Sequence, residues 1–343
     1  MWQKGHALSK KINGLNYRSN HELRTIKANW PGTPVDGNNR FVNVEYPFVP
    51  KLGDVFKWMT SRNPQKKEKK EDTFRLKQVT DVSFLTNQRD CIVWLGHATF
   101  FIRLNGVNLL VDPVFFDVPF VKRYSAHAYN PTTFKKLDYL LISHDHQDHC
   151  QGKSIRQIVG QNPDLKILTG LNMETLLRPW CKNLSIEMAG WYQQYKTNPT
   201  VEIYFLPSRH WSKRGLSDEN KRLWGAFIIK SRDRTIYFSG DTGYGNHFKA
   251  VKEIFGKIAV AIIGIGAYKP EWFMHPNHVS PQDAVRGFHE VGAKIFIPMH
   301  YGTFDISDEP IGEPLRIIKA LDRENKIQGR VKALSLGESF EEF

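Results

Sequence analysis

The sequence contains few cysteines and no long apolar run. Its three cysteines are Cys91, Cys150 and Cys181, and no C-x-x-C motif is present, which argues against a disulfide framework. No apolar run approaches the roughly 18–20 residues of a membrane span. The first 20 residues include lysines but lack the apolar core of a signal peptide. These absences predict a cytoplasmic location, with peripheral attachment to a membrane as the alternative.

The composition is that of a globular protein with an excess of basic residues. Hydrophobic residues make up 41% and charged residues 24% of the 343 positions. The formal charge of +13 favours anionic partners such as lipid head groups, nucleic acid or phosphorylated metabolites. However, the sequence shows no separate basic arm, no RNA-binding module and no aromatic stacking pattern. Nucleic acid is therefore not expected as a partner.

The sequence pattern changes near residue 90. Residues 1–89 have weak periodicity and many turn formers, which predicts an extension that packs on the main body. Within it, residues 46–59 predict a short helix that packs on the domain or touches a membrane. The mixed-charge run at 65–72 is interpreted as a solvated linker. Residues 90–343 alternate apolar strand-like runs with helical patterns and are predicted to form the catalytic domain.

Several strand-like runs of this domain end at a histidine or an aspartate. The runs at 137–143, 200–209 and 293–299 lead to His144, His210 and His300, and another leads to Asp241. Functional residues are often carried by the loops that follow sheet strands. Four such endings predict one shared site.

The densest of these endings reads LISHDHQDHC, with His144, His146, Asp148 and His149 within six positions. Imidazole and carboxylate are the ligand types that suit zinc and its first-row neighbours. In extended backbone His144 and His146 point to the same side. The cluster needs further ligands, and the other strand endings offer them. The candidate metal ligands are therefore His144, His146, Asp148, His149, His210, Asp241 and His300.

The His-x-His-x-Asp-His pattern, present as HDHQDH, resembles the signature of the metallo-β-lactamase superfamily. The resemblance implies an α/β fold, an αββα sandwich of two mixed sheets flanked by helices. It also implies two divalent ions, one bound by His144, His146 and His210, the other by Asp148, His149 and His300, with Asp241 as a bridge. Zinc is the default metal for such ligands, and manganese and iron are the alternatives.

Longer sequence blocks between residues 94 and 304 resemble those of one particular family within this superfamily. WLGHATFF, PSRHWSKRG, EWFMHPNHVSP and MHYGTF are similar to blocks of the N-acylphosphatidylethanolamine-hydrolysing phospholipase D family, which includes bacterial members. The resemblance implies hydrolysis of a phospholipid to phosphatidic acid and an N-acylethanolamine, and is in keeping with a homodimer. It further implies catalytic roles for Asp148, Asp241 and His278, the last as a substrate contact or a proton donor to the leaving group.

Other residues near these motifs are assigned supporting roles. Asp112 and His97 are predicted to orient metal ligands, although a turn role would equally explain Asp112. Large aromatic residues beside the motifs are predicted to contact substrate, with core packing as the alternative: Trp211, Tyr244, Trp272, Phe273 and Tyr301. Trp272 and Phe273 are also predicted to meet a membrane.

Three other functions compete with a phospholipase. A lactonase with the same fold is the principal alternative, and a nuclease is a weaker one. A non-catalytic scaffold or peripheral membrane protein would be expected to lose metal ligands, yet all seven candidates are present. Pocket shape rather than the ligand set would decide among the enzymes.

Overall fold

The computed structural model describes residues 14–47, 49–127 and 129–343, without the side chain of Leu52. The first 13 residues of the predicted extension therefore lie outside the described residues. The strands are β1 Asn16–Arg18, β2 Arg24–Thr25, β3 Thr33–Val35, β4 Cys91–Gly96, β5 Thr99–Leu104, β6 Val107–Val111, β7 Tyr139–Ile142, β8 Lys166–Gly170, β9 Ser185–Ala189, β10 Gln193–Gln194, β11 Glu202–Leu206, β12 Ala226–Lys230, β13 Thr235–Phe238, β14 Ile258–Gly264, β15 Ala293–Met299, β16 Arg330–Val331 and β17 Ser339–Phe340. The helices are α1 Leu52–Thr60, α2 Lys66–Glu71, α3 Gly152–Gln161, α4 Glu174–Leu177, α5 His247–Phe255, α6 Glu271–Met274, α7 Pro281–Val291 and α8 Glu313–Arg323.

Over the described residues, the strands form two large mixed sheets and a small β1–β3 pair. One sheet has seven strands in the order β17-β4-β5-β6-β7-β8-β9, and β6 to β9 run parallel. The other has eight strands in the order β16-β15-β14-β13-β12-β11-β10-β2, and β13 to β16 run parallel. With helices on the outer faces, this arrangement confirms the predicted αββα sandwich.

The central strands are apolar throughout because both of their faces are buried. In β4, Ile92 and Trp94 belong to the core between the sheets. The alternate residues Cys91, Val93 and Leu95 face a second core that α3 covers. This two-residue periodicity follows from strand geometry, in which successive side chains point to opposite faces.

Helix α3 packs on the smaller sheet, and helix α7 packs on β14 and β15 of the larger one. Helix α7 begins after Ser280, whose hydroxyl accepts a hydrogen bond from the Asp283 amide at 3.1 Å. It ends at Gly292, whose φ of 70° suits glycine. Between residues 171 and 181 only Glu174–Leu177 is α-helical. Among the described residues, no helix is both long enough and apolar enough to cross a bilayer.

The described part of the N-terminal extension packs on the sandwich. Strand β2 pairs with β10 at the edge of the larger sheet, and Val35 and Phe41 enter the core between the sheets. The run at 65–72 is solvated as predicted, since α2 has no buried residue, but it forms a helix rather than a linker. The Lys69 ammonium pairs with Asp305 at 2.5 Å, and Asp72 accepts a hydrogen bond from Arg316 at 2.8 Å. These pairs attach α2 to the segment before α8 through Asp305, and the residue that follows α2 to α8 itself through Arg316.

Candidate metal centre

The predicted ligands lie where strands of both sheets end. His144 follows β7 in the smaller sheet, whereas Asp241 and His300 follow β13 and β15 in the larger one. Within each parallel group the carboxyl ends of the strands lie at one end of the sheet. The two sheets therefore present their loops to a common site, and all seven predicted ligands meet there.

One half of the site consists of three imidazoles and a carboxylate. The ligand-type atoms of His144, His146, His210 and Asp241 lie within 4.8 Å of one another. The Nδ1 atom of His146 is 3.0 Å from Nε2 of His144 and 3.2 Å from Nε2 of His210. Three nitrogens thus face a common point.

The other half contains Asp148, His149 and His300, with His97 beside them. The two carboxylate oxygens of Asp241 lie 3.1 Å from Nε2 of His149 and 3.1 Å from Nε2 of His300. Asp241 therefore stands between the two halves. The Nε2 atom of His97 lies 2.9 Å from Asp148 Oδ2, so His97 is placed to orient this carboxylate.

The donor set fits divalent cations. Burial, followed by the nearby His149, holds the pKa of His144 well below its usual value, so its imidazole is neutral. Burial raises the pKa of Asp241, but His149 and His300 outweigh it and hold this pKa well below the usual value. Among the described residues, the buried Nε2 atoms of His149 and His300 have no hydrogen-bond partner. Burial lowers the pKa of His149 and His300, but Asp241 and Asp148 outweigh it, raising that of His149 well above its usual value and that of His300 to about 9. Imidazoles and carboxylates that converge in this way bind divalent cations, and a bound cation would displace the protons of these two histidines.

Outer contacts fix the orientation of three histidines. The buried Asp112 carboxylate lies 2.8 Å from Nδ1 of His149, and it accepts hydrogen bonds from the Ser143 amide at 2.7 Å and hydroxyl at 2.6 Å. The Ser143 hydroxyl in turn lies 2.9 Å from Nδ1 of His144. The main-chain oxygen of Asn277 lies 3.1 Å from Nδ1 of His210. Because each Nδ1 is engaged, each Nε2 is directed at the site.

Three residues of the site have left-handed backbone. The φ angles of His97, Asp112 and His300 are 51°, 41° and 62°. Such angles are uncommon for residues other than glycine and cost free energy, which the surrounding structure must offset. The packing of the site holds them, since all three are buried.

The sequence interpretation missed how the ligand loop is anchored. Asp145, between the first two histidines, is buried and accepts a hydrogen bond from Nε of Arg222 at 2.7 Å. Its other oxygen accepts from the Lys213 amide at 3.0 Å. Arg214 donates to the main-chain oxygen of Cys150 at 2.6 Å. The alternation of the motif was the available signal, because it directs Asp145 away from His144 and His146.

A cavity of about 470 Å³ opens onto the centre. It is lined by Asp148, Asp241 and His278, and by two of the predicted substrate contacts, Trp211 and Phe273. Helices α1 and α6 and two loops form its apolar wall. These residues are Val55, Trp58, Val118, Val121, Phe273, Met274 and Ile306. Val55 and Trp58 belong to the segment 46–59 predicted to form a helix, and Phe273 is a predicted substrate contact.

The other three predicted aromatic contacts lie elsewhere. Tyr301 is buried in the core with its ring 5.0 Å from that of Trp94, and Tyr244 packs beneath Arg286. Neither lines the cavity, so the substrate roles predicted for them are not supported. Trp272 is 44% exposed and also lies outside the lining. Adjacency to a motif did not reveal the direction of these side chains.

Comparison with known protein families identifies the superfamily to which the chain belongs. Residues 107–301 match the family model described as "Beta-lactamase superfamily domain". The chain belongs to the metallo-β-lactamase superfamily. It is a metal-dependent hydrolase, as its homologues in this superfamily and its His/Asp centre indicate.

Particular relatives narrow the class. The chain is 34% identical over 278 residues to the "N-acyl-phosphatidylethanolamine-hydrolyzing phospholipase D 1" of Caenorhabditis elegans, covering 74% of this chain and 77% of that protein. It is 32% identical over 256 residues to the mitochondrial N-acyl-phosphatidylethanolamine-hydrolyzing phospholipase D of Saccharomyces cerevisiae. That match covers 72% of this chain and only 54% of the yeast protein.

Solved structures agree with the fold. An isothiocyanate hydrolase from Delia radicum gut bacteria superposes with a TM-score of 0.59 at 15% identity, covering 73% of this chain and 98% of that one. The diiron β-hydroxylase CmlA of Streptomyces venezuelae superposes with a TM-score of 0.56 at 18% identity, covering 74% of this chain and 54% of that one. At these identities the similarity shows the fold alone.

Proposed function

We propose that the protein is a two-metal phosphodiesterase of the phospholipase D type. Its substrate would be an N-acylphosphatidylethanolamine-like lipid, cleaved to an N-acylethanolamine and phosphatidic acid. The observation that carries the proposal is the apolar wall beside the histidine–aspartate centre. A site built for a small polar diester alone would have no use for seven apolar side chains next to its ligands.

The two halves of the centre would hold two divalent ions. His144, His146 and His210 form one ligand set, and Asp148, His149 and His300 form the other, with Asp241 within reach of both. When bound, such ions supply Lewis acidity toward a phosphodiester oxygen and lower the pKa of a water molecule. Zinc suits these ligands, and manganese or iron would also fit them.

His278 is the protein group best placed to contact the phosphodiester. It lines the cavity, and its Nδ1 atom lies 3.8 Å from Asp241 Oδ2. Burial, only partly opposed by the Asp241 charge, lowers the pKa of His278 to about 4. The imidazole is therefore neutral at pH 7, with one hydrogen-bond donor and one acceptor to offer. We assign it to the leaving-group side of the substrate, with Asp148 and Asp241 anchoring the attack side.

The apolar wall would hold part of an acyl chain. Trp58 of α1 stacks on Phe273 with ring centroids 5.4 Å apart, and the two rings line the cavity together. A cavity of this size and composition is typical of sites for apolar ligands with a few convergent polar groups. The N-terminal extension thus contributes to the substrate site through α1.

Exposed apolar residues that adjoin cavity-lining residues in the sequence form what we call the apolar rim, and they support contact with a membrane. Five of its members are sequence neighbours of cavity-lining residues and range from 44% to 109% exposed: Phe56, Met59, Phe120, Leu216 and Trp272. Lys57 lies over the Trp272 ring at 4.6 Å and adds a cation to the rim. Exposed apolar residues with interspersed lysines are typical of proteins that bind bilayer surfaces. Phe273, predicted to join this surface, is instead 7% exposed and faces the cavity. A homodimer stays a prediction.

The proposal is tested by the products of hydrolysis. Purified zinc-loaded protein is incubated with N-acylphosphatidylethanolamine in mixed micelles, with and without a chelator, and products are resolved by mass spectrometry. Chelator-sensitive release of N-acylethanolamine and phosphatidic acid is expected. If bis-p-nitrophenyl phosphate is cleaved but no lipid is, the lipid assignment fails while the metal centre stands. Opening of an acyl lactone without lipid cleavage would favour a lactonase.

A further inference from the structure

A second cavity, of about 680 Å³, shares no lining residue with the cavity at the metal centre. The N-terminal extension forms one side of it, and the segments 191–192, 207–208 and 246–253 form the other. Its walls are rich in aromatic rings, which are those of Tyr17, Trp30, Tyr46, Trp191 and Tyr192. Its volume lies within the range of small-molecule sites.

Two of these rings already hold an ammonium group of the protein. The Lys27 Nζ atom lies 4.4 Å from the centroid of the Tyr192 ring and 5.3 Å from that of Trp30. The two rings meet edge to face with centroids 4.8 Å apart. Aromatic faces in this arrangement attract cations through their ring quadrupoles. The cavity is much larger than one lysine ammonium, so it has room for a further group.

Carboxylates add negative potential to the aromatic walls. Glu45 and Glu253 line the cavity, and their charges, after burial, raise the pKa of Tyr192 to about 12. Within the described residues, neither carboxylate has an ion-pair partner within 4.0 Å. Lys249 also lines the cavity, but its Nζ atom lies 3.8 Å from Glu290, which is not in the lining. Once the Lys27 ammonium is displaced, the lining carries two carboxylates and one lysine that lies close to a carboxylate outside the cavity, which favours a cationic guest.

Two buried polar atoms lack a partner at this cavity. Among the described residues, Ser208 Oγ and Trp30 Nε1 make no hydrogen bond, and Ser208 is only 1% exposed. The main chain of Ser208 is held in place, because its oxygen accepts from Trp224 Nε1 at 3.0 Å. An unpaired buried hydroxyl and indole N–H are costly, and an oxygen of a ligand would satisfy them.

We infer that this cavity binds an organic ammonium ion that carries an oxygen acceptor, the chemistry of choline and related amino alcohols. The ammonium would lie against Trp30 and Tyr192 near Glu253, displacing Lys27, while the oxygen would face Ser208. The same chemistry occurs in free amino alcohols and in lipid head groups.

The test is calorimetric titration with choline, and with 3,3-dimethyl-1-butanol as its neutral isostere. Choline should bind, and the neutral isostere should bind about 5- to 30-fold more weakly, as the loss of a cation–π contact implies. Glu253→Gln and Trp30→Leu should each weaken choline binding by a similar factor. Glycerophosphocholine distinguishes the sources: tighter binding than choline indicates a head group, and weaker binding indicates the free amino alcohol.

Lysine substitutions provide the sharper test, because removal of a lysine charge should strengthen the binding of a cation and would weaken the binding of an anion. Lys27→Met removes the internal competitor and should strengthen choline binding, and more than Lys249→Met does. Retained hydrolytic activity in both variants shows that they are folded. Equal binding of choline and its neutral isostere, or weaker choline binding by Lys27→Met than by Lys249→Met, would overturn the inference.

Discussion

The metal centre and the N-terminal segment 14–89 are positioned by different kinds of contact. The ligands stand at the ends of buried strands and are fixed by main-chain pairing and by buried partners such as Asp112. Segment 14–89 has short strands and helices, and much of its attachment is through side chains, for example Trp58 Nε1 to Asp308 at 3.1 Å. Rigid elements thus carry the chemistry, whereas the extension forms walls of both cavities. We expect substitutions in the first region to abolish turnover and those in the second to change selectivity.

The largest effect is expected at the carboxylate between the two halves of the centre. Asp241→Asn removes the charge that faces both His149 and His300 and should lower kcat by at least about a hundredfold. Turnover and metal content are measured together, and the exposed Asp233→Asn serves as the matched control. Turnover near that of the unmodified protein would contradict the assignment of Asp241 to both ions.

A smaller effect is expected at Asp112, which contacts the candidate metal ligand His149 but is not itself predicted to be a ligand. Asp112→Asn keeps the shape of the side chain but weakens the hydrogen bond that orients His149. Metal affinity should fall about 10- to 100-fold, as is usual for partners of metal-binding histidines. Competition with a fluorescent chelator measures the change. If affinity is unaltered while the protein becomes less stable, Asp112 has only the turn role that its sequence context also allowed.

The contrast between the metal centre and segment 14–89 also explains which features could be predicted from the sequence. Strand ends and the HDHQDH motif are local patterns, so the meeting of seven candidate ligands could be anticipated, and the resemblance carried by that motif implied the sandwich. The cavity wall could not be anticipated, because Val55 and Trp58 meet Phe273 only after the extension folds back on the domain. The misassigned Tyr301 shows the same limit, since proximity in sequence to His300 does not fix where a ring points.

The contribution of the N-terminal segment to substrate selectivity is tested at the cavity wall. Trp58→Ala removes the ring stacked on Phe273, and should lower kcat/KM for an N-acylated phospholipid about tenfold or more through lost apolar contact. Turnover of bis-p-nitrophenyl phosphate should change little, because the ligands are untouched. An equal loss for both substrates would show that α1 supports the centre itself rather than the acyl chain.

The smallest effect is expected on the outer face of the same helix. Phe56 and Met59 are 70% and 76% exposed and lie three positions apart, so they share one face of α1, while Val55 and Trp58 face the cavity. Phe56→Ser with Met59→Ser should weaken binding to phospholipid vesicles roughly tenfold, because each side chain would otherwise enter the bilayer surface.

Cosedimentation with vesicles measures this change in binding. The double variant Val79→Ser with Val82→Ser is the matched control, because these two apolar residues are 37% and 46% exposed and lie outside the cavity lining. Hydrolysis of the small diester should be unaffected in both double variants, because neither alters the centre. Equal vesicle binding by the two would place the membrane contact elsewhere and leave α1 with its role inside the cavity alone.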